Sequence, residues 1–378
     1  MFRLNKSNFN RINKRILLTC LYLFPSLVIV DTTYFKFNTS IVRSTGYAVV
    51  CFLFIVLFLK ENLKRNGKLI LNRSFKNKTI LIIWIFFSVM IILSEIYNGV
   101  FPIDGLYYLY FVPIVLFLAI PIVLEDSNKE IVIALFYASF IFIVFSLIKK
   151  PVIFGKIYQG VTYNPNSLGY LAAQSTISSF YLLLINYNKK NKLGTLGLLL
   201  SFLMSIMLVI LSNSRTSFLV TVLCILSVFL LFAWSKEIRL RRYIKFFVIG
   251  IALYFGIFKE WLELGIFSKF RRLSSSGNIL NSRNLIWKQI IDDITILGHG
   301  EGYDKLTTGK GAHNTVLGIV SKSGAIAALF LLVFFILILY YSFIYFIKRK
   351  GKNYSMVPLI VSFMFILFSL TESMLGNI

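Results

Sequence analysis

Apolar stretches long enough to cross a bilayer recur along the whole of this chain, and no other feature limits its fold so tightly. In hydrocarbon every peptide group must find its partner inside the protein, so a spanning segment outside a closed barrel must be a helix. About 20 mainly apolar residues cover a ~30 Å core. A chain of 378 residues has room for about 11–12 such crossings and none for an independent soluble domain beside them. The expectation is an all-α polytopic membrane helix bundle, a single integral domain over residues 1–378 with one long extracytoplasmic loop at 259–314.

Composition excludes two other classes. With 57% hydrophobic residues and a mean hydropathy of +0.79, the chain is too apolar for a soluble protein. Its 40 Lys and Arg against 15 Asp and Glu give +25, which in a soluble domain suggests nucleic acid. Here the cations fall mostly in short connections between apolar runs. That pattern retains loops in the cytoplasm and meets anionic lipid, so the bilayer and not nucleic acid is the expected partner. Cys20, Cys51 and Cys224 lie inside apolar runs without metal-ligand spacing and read as small buried hydrophobes. No metal and no cofactor are expected.

Eleven spans can be counted: Ile16–Val30, Ile41–Leu59, Thr79–Ile96, Leu106–Leu124, Ile131–Ile148, Leu168–Ile185, Leu193–Leu211, Thr216–Trp234, Tyr243–Phe258, Gly324–Phe346 and Met356–Leu370. The first follows a basic segment and lacks a small-residue cleavage site, which predicts an uncleaved helix with a cytoplasmic N-terminus. Counting through puts Lys60–Lys78, Glu125–Glu130, Lys189–Lys192, Arg239–Arg242 and Lys348–Lys352 inside. Tyr97–Gly105, Lys149–Ser167, Ser212–Arg215, residues 259–314 and Glu372 then fall outside. Every strongly basic connection lands on one side, as the charge rule requires. Pro113 and Pro121 sit inside the fourth span, where neighbouring groups must satisfy the freed carbonyls.

The candidates for chemistry gather at the outer ends. Arg215 sits in a hairpin too short to hold it far from hydrocarbon, where an arginine costs ~2.5–3.5 kcal/mol on insertion scales. It either snorkels to phospholipid headgroups or grips a phosphate or pyrophosphate with its planar fork. From Arg283 the pattern Ile286, Trp287, Ile290, Ile291, Ile294, Leu297 predicts an amphipathic helix, with Asn281 or Ser282 as its cap. Such a helix lies on the outer surface with Trp287 at headgroup level, or forms a lid over the bundle. Arg271 and Arg272 add a cationic pair on the same side. Gly298-His299-Gly300-Glu301-Gly302 reads as a flexible turn and lacks the Gly-Lys-Ser/Thr of a phosphate loop. His313, where the chain re-enters the membrane, is a general-base candidate near neutral pH or a structural histidine. Asp292, Asp293 and Glu301 are competing bases, and adjacent aspartates on an amphipathic helix usually form its wet face. Asn164 and Asn166 can bind sugar hydroxyls, although Asn-Pro-Asn is first a turn and helix-start signal.

Taken together, Asn164-Pro165-Asn166 opening a span, Ser214-Arg215-Thr216 between two helices, Arg283 with Trp287 and Gly298-His299-Gly300, and His313-Asn314 before a helix containing Gly324 resemble the O-antigen ligase and Wzy-type polysaccharide polymerase superfamily. The resemblance runs from Asn164 to the C-terminus, while Met1–Ser167 matches only as a set of spans. It implies a GT-C-like helical architecture in the bacterial plasma membrane, with a glycosyltransferase site on the extracytoplasmic side. The donor it implies is an undecaprenyl-pyrophosphate-linked oligosaccharide. Arg215 and Arg283, helped by Arg271 or Arg272, would hold the pyrophosphate, His313 would activate the acceptor hydroxyl, and Asn164, Asn166 and Trp287 would touch glycan. The expected activity is polymerisation of lipid-linked repeats into a capsular or other surface polysaccharide. A ligase moving glycan to a different acceptor, and a lipid-oligosaccharide flippase or other transporter, are the alternatives. A chain-length regulator and a flippase are the expected protein partners.

Overall fold

The computed structural model describes residues 6–31, 39–64, 78–119, 127–153, 156–186, 192–235, 283–309, 311–350, 352 and 354–372, with 259, 263, 267, 268, 271 and 275. Every regular element among them is helical, and the one exception to helical pairing is an antiparallel bridge between Val30 and Thr162. Among the described residues seven helices are long and apolar enough to cross a membrane: Ile41–Lys60, Lys78–Tyr97, Asn128–Lys149, Pro165–Asn186, Lys192–Leu211, Arg215–Trp234 and Thr315–Lys348. Two shorter apolar helices, Ile103–Val115 and Val357–Ser369, accompany them. This is an all-α polytopic membrane bundle. The ninth expected span, Tyr243–Phe258, and the caps Asn281 and Ser282 lie outside the described residues.

In chain order the helices are α1 (Lys6–Ser26), α2 (Thr39–Lys64), α3 (Lys78–Tyr97), α4 (Ile103–Leu106), α5 (Asn128–Lys149), α6 (Pro165–Asn186), α7 (Lys192–Leu211), α8 (Arg215–Ser235), α9 (Arg283–Asp292), α10 (Tyr303–Thr308), α11 (Thr315–Lys348) and α12 (Val357–Ser369). They divide into two compact units. The first comprises Met1–Val50, Ser127–Gly277 and Tyr345–Val361, the second Cys51–Asp126, Asn278–Ile344 and Ser362–Ile378.

The first unit is packed around α6. Gln174, Ser175, Thr176, Ser178 and Ser179 of that helix are all buried, an expensive arrangement unless each polar group is satisfied. Thr176, Ser178 and Ser179 donate to the carbonyls four residues back at 2.7 Å, and Ser175 meets Ser205 of α7 at 2.8 Å. Small hydroxyls let the helices approach closely without leaving a polar group stranded. At one end of this unit Arg15 faces Glu130 at 3.6 Å, and Asn128 donates to the Tyr345 hydroxyl and the Tyr354 carbonyl. At another, Tyr163 N–H donates to Ile29 O and Asp31 N–H to Val161 O. These contacts join chain ends that the span count assigned to a common side.

The second unit has its own core, in which Trp84, Phe87 and Ile91 of α3 meet Tyr108, Ile286 and Ile290 of α9, Phe334 and Phe335 of α11, and Ile366 of α12. After α4 the chain runs on in π-helical turns at Tyr107–Phe111 and Pro113–Ala119. In such a turn the Tyr108 carbonyl looks five residues ahead, to Pro113, which has no N–H to give. The indole Nε1–H of Trp84 fills the gap at 2.8 Å.

The tenth span, read from Gly324 with a shallower apolar stretch before it from Thr315, is a helix in two pieces. The helix begins at Thr315, and Gly324, with φ 90° and ψ 172°, breaks it. Such a backbone at Gly324 interrupts the helical ladder. Ala325 instead donates to Thr295 O at 2.9 Å, while His299 N–H donates to Ser321 O at 2.9 Å and Gly300 N–H to Lys322 O at 3.0 Å. Residues 295–300 therefore act as a strap that takes up the backbone groups released by the break, which membrane surroundings require. The Gly298–Gly300 turn, read from sequence as merely flexible, is this strap. A side chain at Gly298 would collide with the Lys322 carbonyl, and one at Gly324 with the Ile296 backbone.

Candidate functional site

The site is built where α9, the entry to α11 and the end of α12 meet inside the second unit. α9 forms because Arg283, Ile286, Trp287 and Ile290 recur at helical spacing, and that face turns inward: Ile286 and Ile290 are core residues and Trp287 packs against them. The helix is the lid of the two sequence readings. It ends at Asp292, so Ile294 and Leu297, expected on the same stripe, fall beyond it.

Trp287 Nε1–H donates to Ala312 O at 2.8 Å, tying α9 to the residue before His313. On the other side, Asn314 caps α11, its Oδ1 accepting from Leu317 N–H at 3.1 Å as an N-cap side chain does. Its Nδ2–H donates to Leu370 O at 2.9 Å, and Thr315 Oγ1 donates to Glu372 O at 2.9 Å. Clamped on both sides, His313 adopts φ 48°, a left-handed conformation whose cost of order 1–3 kcal/mol persists only where surrounding structure imposes it.

Glu372 joins the pieces. One carboxylate oxygen lies 3.3 Å from His313 Nδ1, the other 3.3 Å from Arg283 Nη2, and Arg283 Nη1 donates to Thr371 O at 2.8 Å. The side chains of His313, Glu372 and Arg283 are 42%, 25% and 21% exposed, accessible yet partly withdrawn from water. A carboxylate bonded to one ring nitrogen sets the tautomer and orientation of an imidazole. Chemically, the arrangement can accept a proton from a hydroxyl placed at Nε2. Sequence reasoning passed over Glu372 as a terminal acid on the outer face. Its signal is a lone carboxylate closing an apolar run, with nothing in the linear order to name its partners.

The second unit thus brings together three of the expected residues, Arg283, Trp287 and His313. Arg283 has two of its nitrogens engaged, and a guanidinium carries five N–H donors. The others belong to the first unit. Asn164 Oδ1 accepts from Asn166 N–H at 2.9 Å, so the Asn-Pro-Asn motif is a turn that starts α6 with proline in its first helical position. Ser214 plays the same part for α8, its Oγ approached by Ser217 N–H at 3.4 Å. Arg215 opens α8 and is half-buried. The two motifs touch through Gly169, where any side chain would strike Ser212, Ser214 and Ser217. Arg271 is exposed, and Arg272 lies outside the described residues.

On the loop of the second unit His299 stacks on Tyr303 with ring centroids 4.0 Å apart, and its Nε2 meets Asp293 O at 2.7 Å. The Tyr303 hydroxyl donates to Asp293 Oδ2, and accepting that bond makes the carboxylate hold the phenol above its ordinary pKa. His299 and Asp293 are therefore engaged in shaping the turn. No protein-family model matches the chain, and no curated protein matches it.

Proposed function

We propose that this protein is a glycosyltransferase that polymerises undecaprenyl-pyrophosphate-linked oligosaccharide repeats into a surface polysaccharide at the outer face of the bacterial plasma membrane. The observation that carries the reading is the Glu372 carboxylate spanning His313 Nδ1 and Arg283 Nη2, an oriented base at the end of a membrane bundle. In the reaction the acceptor sugar hydroxyl gives its proton to His313 Nε2 as its oxygen bonds to the anomeric carbon of the donor. The bond from that carbon to the pyrophosphate oxygen breaks, and undecaprenyl pyrophosphate leaves with the electron pair. Glu372 orients the imidazole, and Arg283, holding Glu372, keeps further N–H donors for the developing phosphate charge. Fixed guanidinium groups in a water-poor site favour the transition state over the ground state. The pyrophosphate roles of Arg215, Arg271 and Arg272 and the chain-length regulator and flippase as partners rest on the family resemblance, and the glycan contacts of Asn164 and Asn166 on the capacity of their amides to bind sugar hydroxyls.

A transport reading draws on the broken helix, a feature of carriers whose exposed backbone binds cargo. At Gly324 the released groups are taken by Thr295, His299 and Gly300, which favours chemistry over cargo binding there. The deciding experiment reconstitutes the protein in liposomes with synthetic undecaprenyl-pyrophosphate oligosaccharide. A ladder of longer glycans is expected, lost in Arg215→Ala and His313→Ala while membrane insertion is kept. Donor consumption without a ladder identifies a ligase or hydrolase, and translocation without turnover identifies a flippase.

A further inference from the structure

We infer that Lys322 and Asp104 form a positioning pair for His313, acting through the short helix that precedes Gly324. The inference rests on the reading of His313 as the base. Residues 315–323 are set off from the rest of α11 by the glycine break, so this piece is a separate body with His313 and Asn314 at its head. Its head is held by the bonds of Asn314 and Thr315 to the segment that carries Glu372. Its tail is held by the strap, which binds the Ser321 and Lys322 carbonyls, and by Ser94 Oγ–H, which donates to Lys322 O at 3.3 Å.

One side chain fixes the tail sideways. Lys322 Nζ lies 2.7 Å from Asp104 Oδ2. The turn that bears Asp104 is itself anchored, because Gly105 N–H donates to the Glu95 carboxylate at 2.9 Å and Glu95 is buried in α3. Lys322 is the one charged residue of 315–323, and its bond ties the tail of this short helix to the anchored turn. Lys322 lies nine positions after His313, about 10 Å along the helix that starts at Thr315, so Lys322 reaches the imidazole only by setting the tilt of the body that carries it. Small misplacements of a base are enough to lower a rate by roughly 10²-fold.

The test reads both turnover and the imidazole itself. In liposomes with synthetic undecaprenyl-pyrophosphate oligosaccharide, Lys322→Gln and Asp104→Asn are expected to lower kcat at least about tenfold with KM changed less than about threefold. Lys322→Arg, and the exchange Lys322→Asp with Asp104→Lys, are expected to return kcat toward the wild-type value. The chain has 2 histidines, so 15N-imidazole resonances of His313 can be assigned with His299→Gln and should move in Lys322→Gln and return in the exchange. Unchanged His313 resonances in Lys322→Gln overturn the inference, as does an exchange variant that melts like wild type yet leaves kcat low. A wild-type protein that makes no glycan, while Lys322→Gln still moves the His313 resonances, sinks the glycan-transfer reading and leaves the positioning pair standing.

Discussion

The hairpin at Ser212–Arg215 and the cluster at Glu372 are both polar ends of apolar helices, yet they are assembled differently. In the hairpin several partners are neighbours in sequence: Ser214 caps its own helix and Ser212 bonds to Val209 O at 2.8 Å, while Gly169 packs against these serines and Tyr158 N–H donates to Leu211 O from other segments. At Glu372 the partners are Arg283 and His313, 89 and 59 residues away. Local polar groups satisfy backbone and start helices. Groups drawn from distant segments hold one another in a geometry that no single segment would adopt, as Glu372 does between Arg283 and His313. The comparison teaches that motif order marks where helices begin, while chemistry is found where remote segments converge.

The sharpest way to break this comparison is Glu372→Gln, which keeps size and removes charge. Elongation should fall about 10²–10⁴-fold, the span of a lost general-base contribution, with the melting temperature nearly unchanged. Glycan ladders of normal length from this variant would leave His313 without an orienting partner and return the site to its sequence-only description.

Next in size is the glycine break. Gly324→Ala places a Cβ both in a left-handed conformation and against the Ile296 backbone, so a loss well above ~1 kcal/mol is expected. Gly302, also left-handed but with open space around it, should cost only about 1 kcal/mol as alanine. Thermal midpoints of the two variants in detergent separate collision from strain, and equal shifts would mean that the strap does not press on the break.

Gly169→Ala tests the hairpin in the same way. Overpacking against Ser212, Ser214 and Ser217 should destabilise by about 1–3 kcal/mol and displace Arg215 with them. The smallest effect is expected from Trp287→Phe, which keeps the ring in the core and removes the bond to Ala312 O. It should cost about 1 kcal/mol and a severalfold drop in turnover; a larger loss would argue that the indole touches glycan directly.

Much of the fold was legible because it depends on local chemistry. Apolar length gives spans, and the Asn-Pro-Asn and Ser-Arg-Thr motifs mark helix starts. The stripe Arg283, Ile286, Trp287, Ile290 predicts α9, and its burial in the core selects the lid over the surface helix. Glu372 and the strap at 295–300 were not legible. A terminal acid and a glycine-rich turn look alike in any sequence until their partners are known, and those partners lie tens of residues away.

By itself, then, the order of residues determined that this chain lives in a bilayer as helices, since apolar runs of this length outside a closed barrel can satisfy their backbone in hydrocarbon only as helices. Tertiary structure alone decided which side chains act together. Burial of α9 against α3 and α11 sets Arg283 over the end of α12, and the break at Gly324 frees the short helix that carries His313. Convergence of that kind is a property of packing, where many weak contacts choose one arrangement, and it has no counterpart in the spacing of residues along the chain.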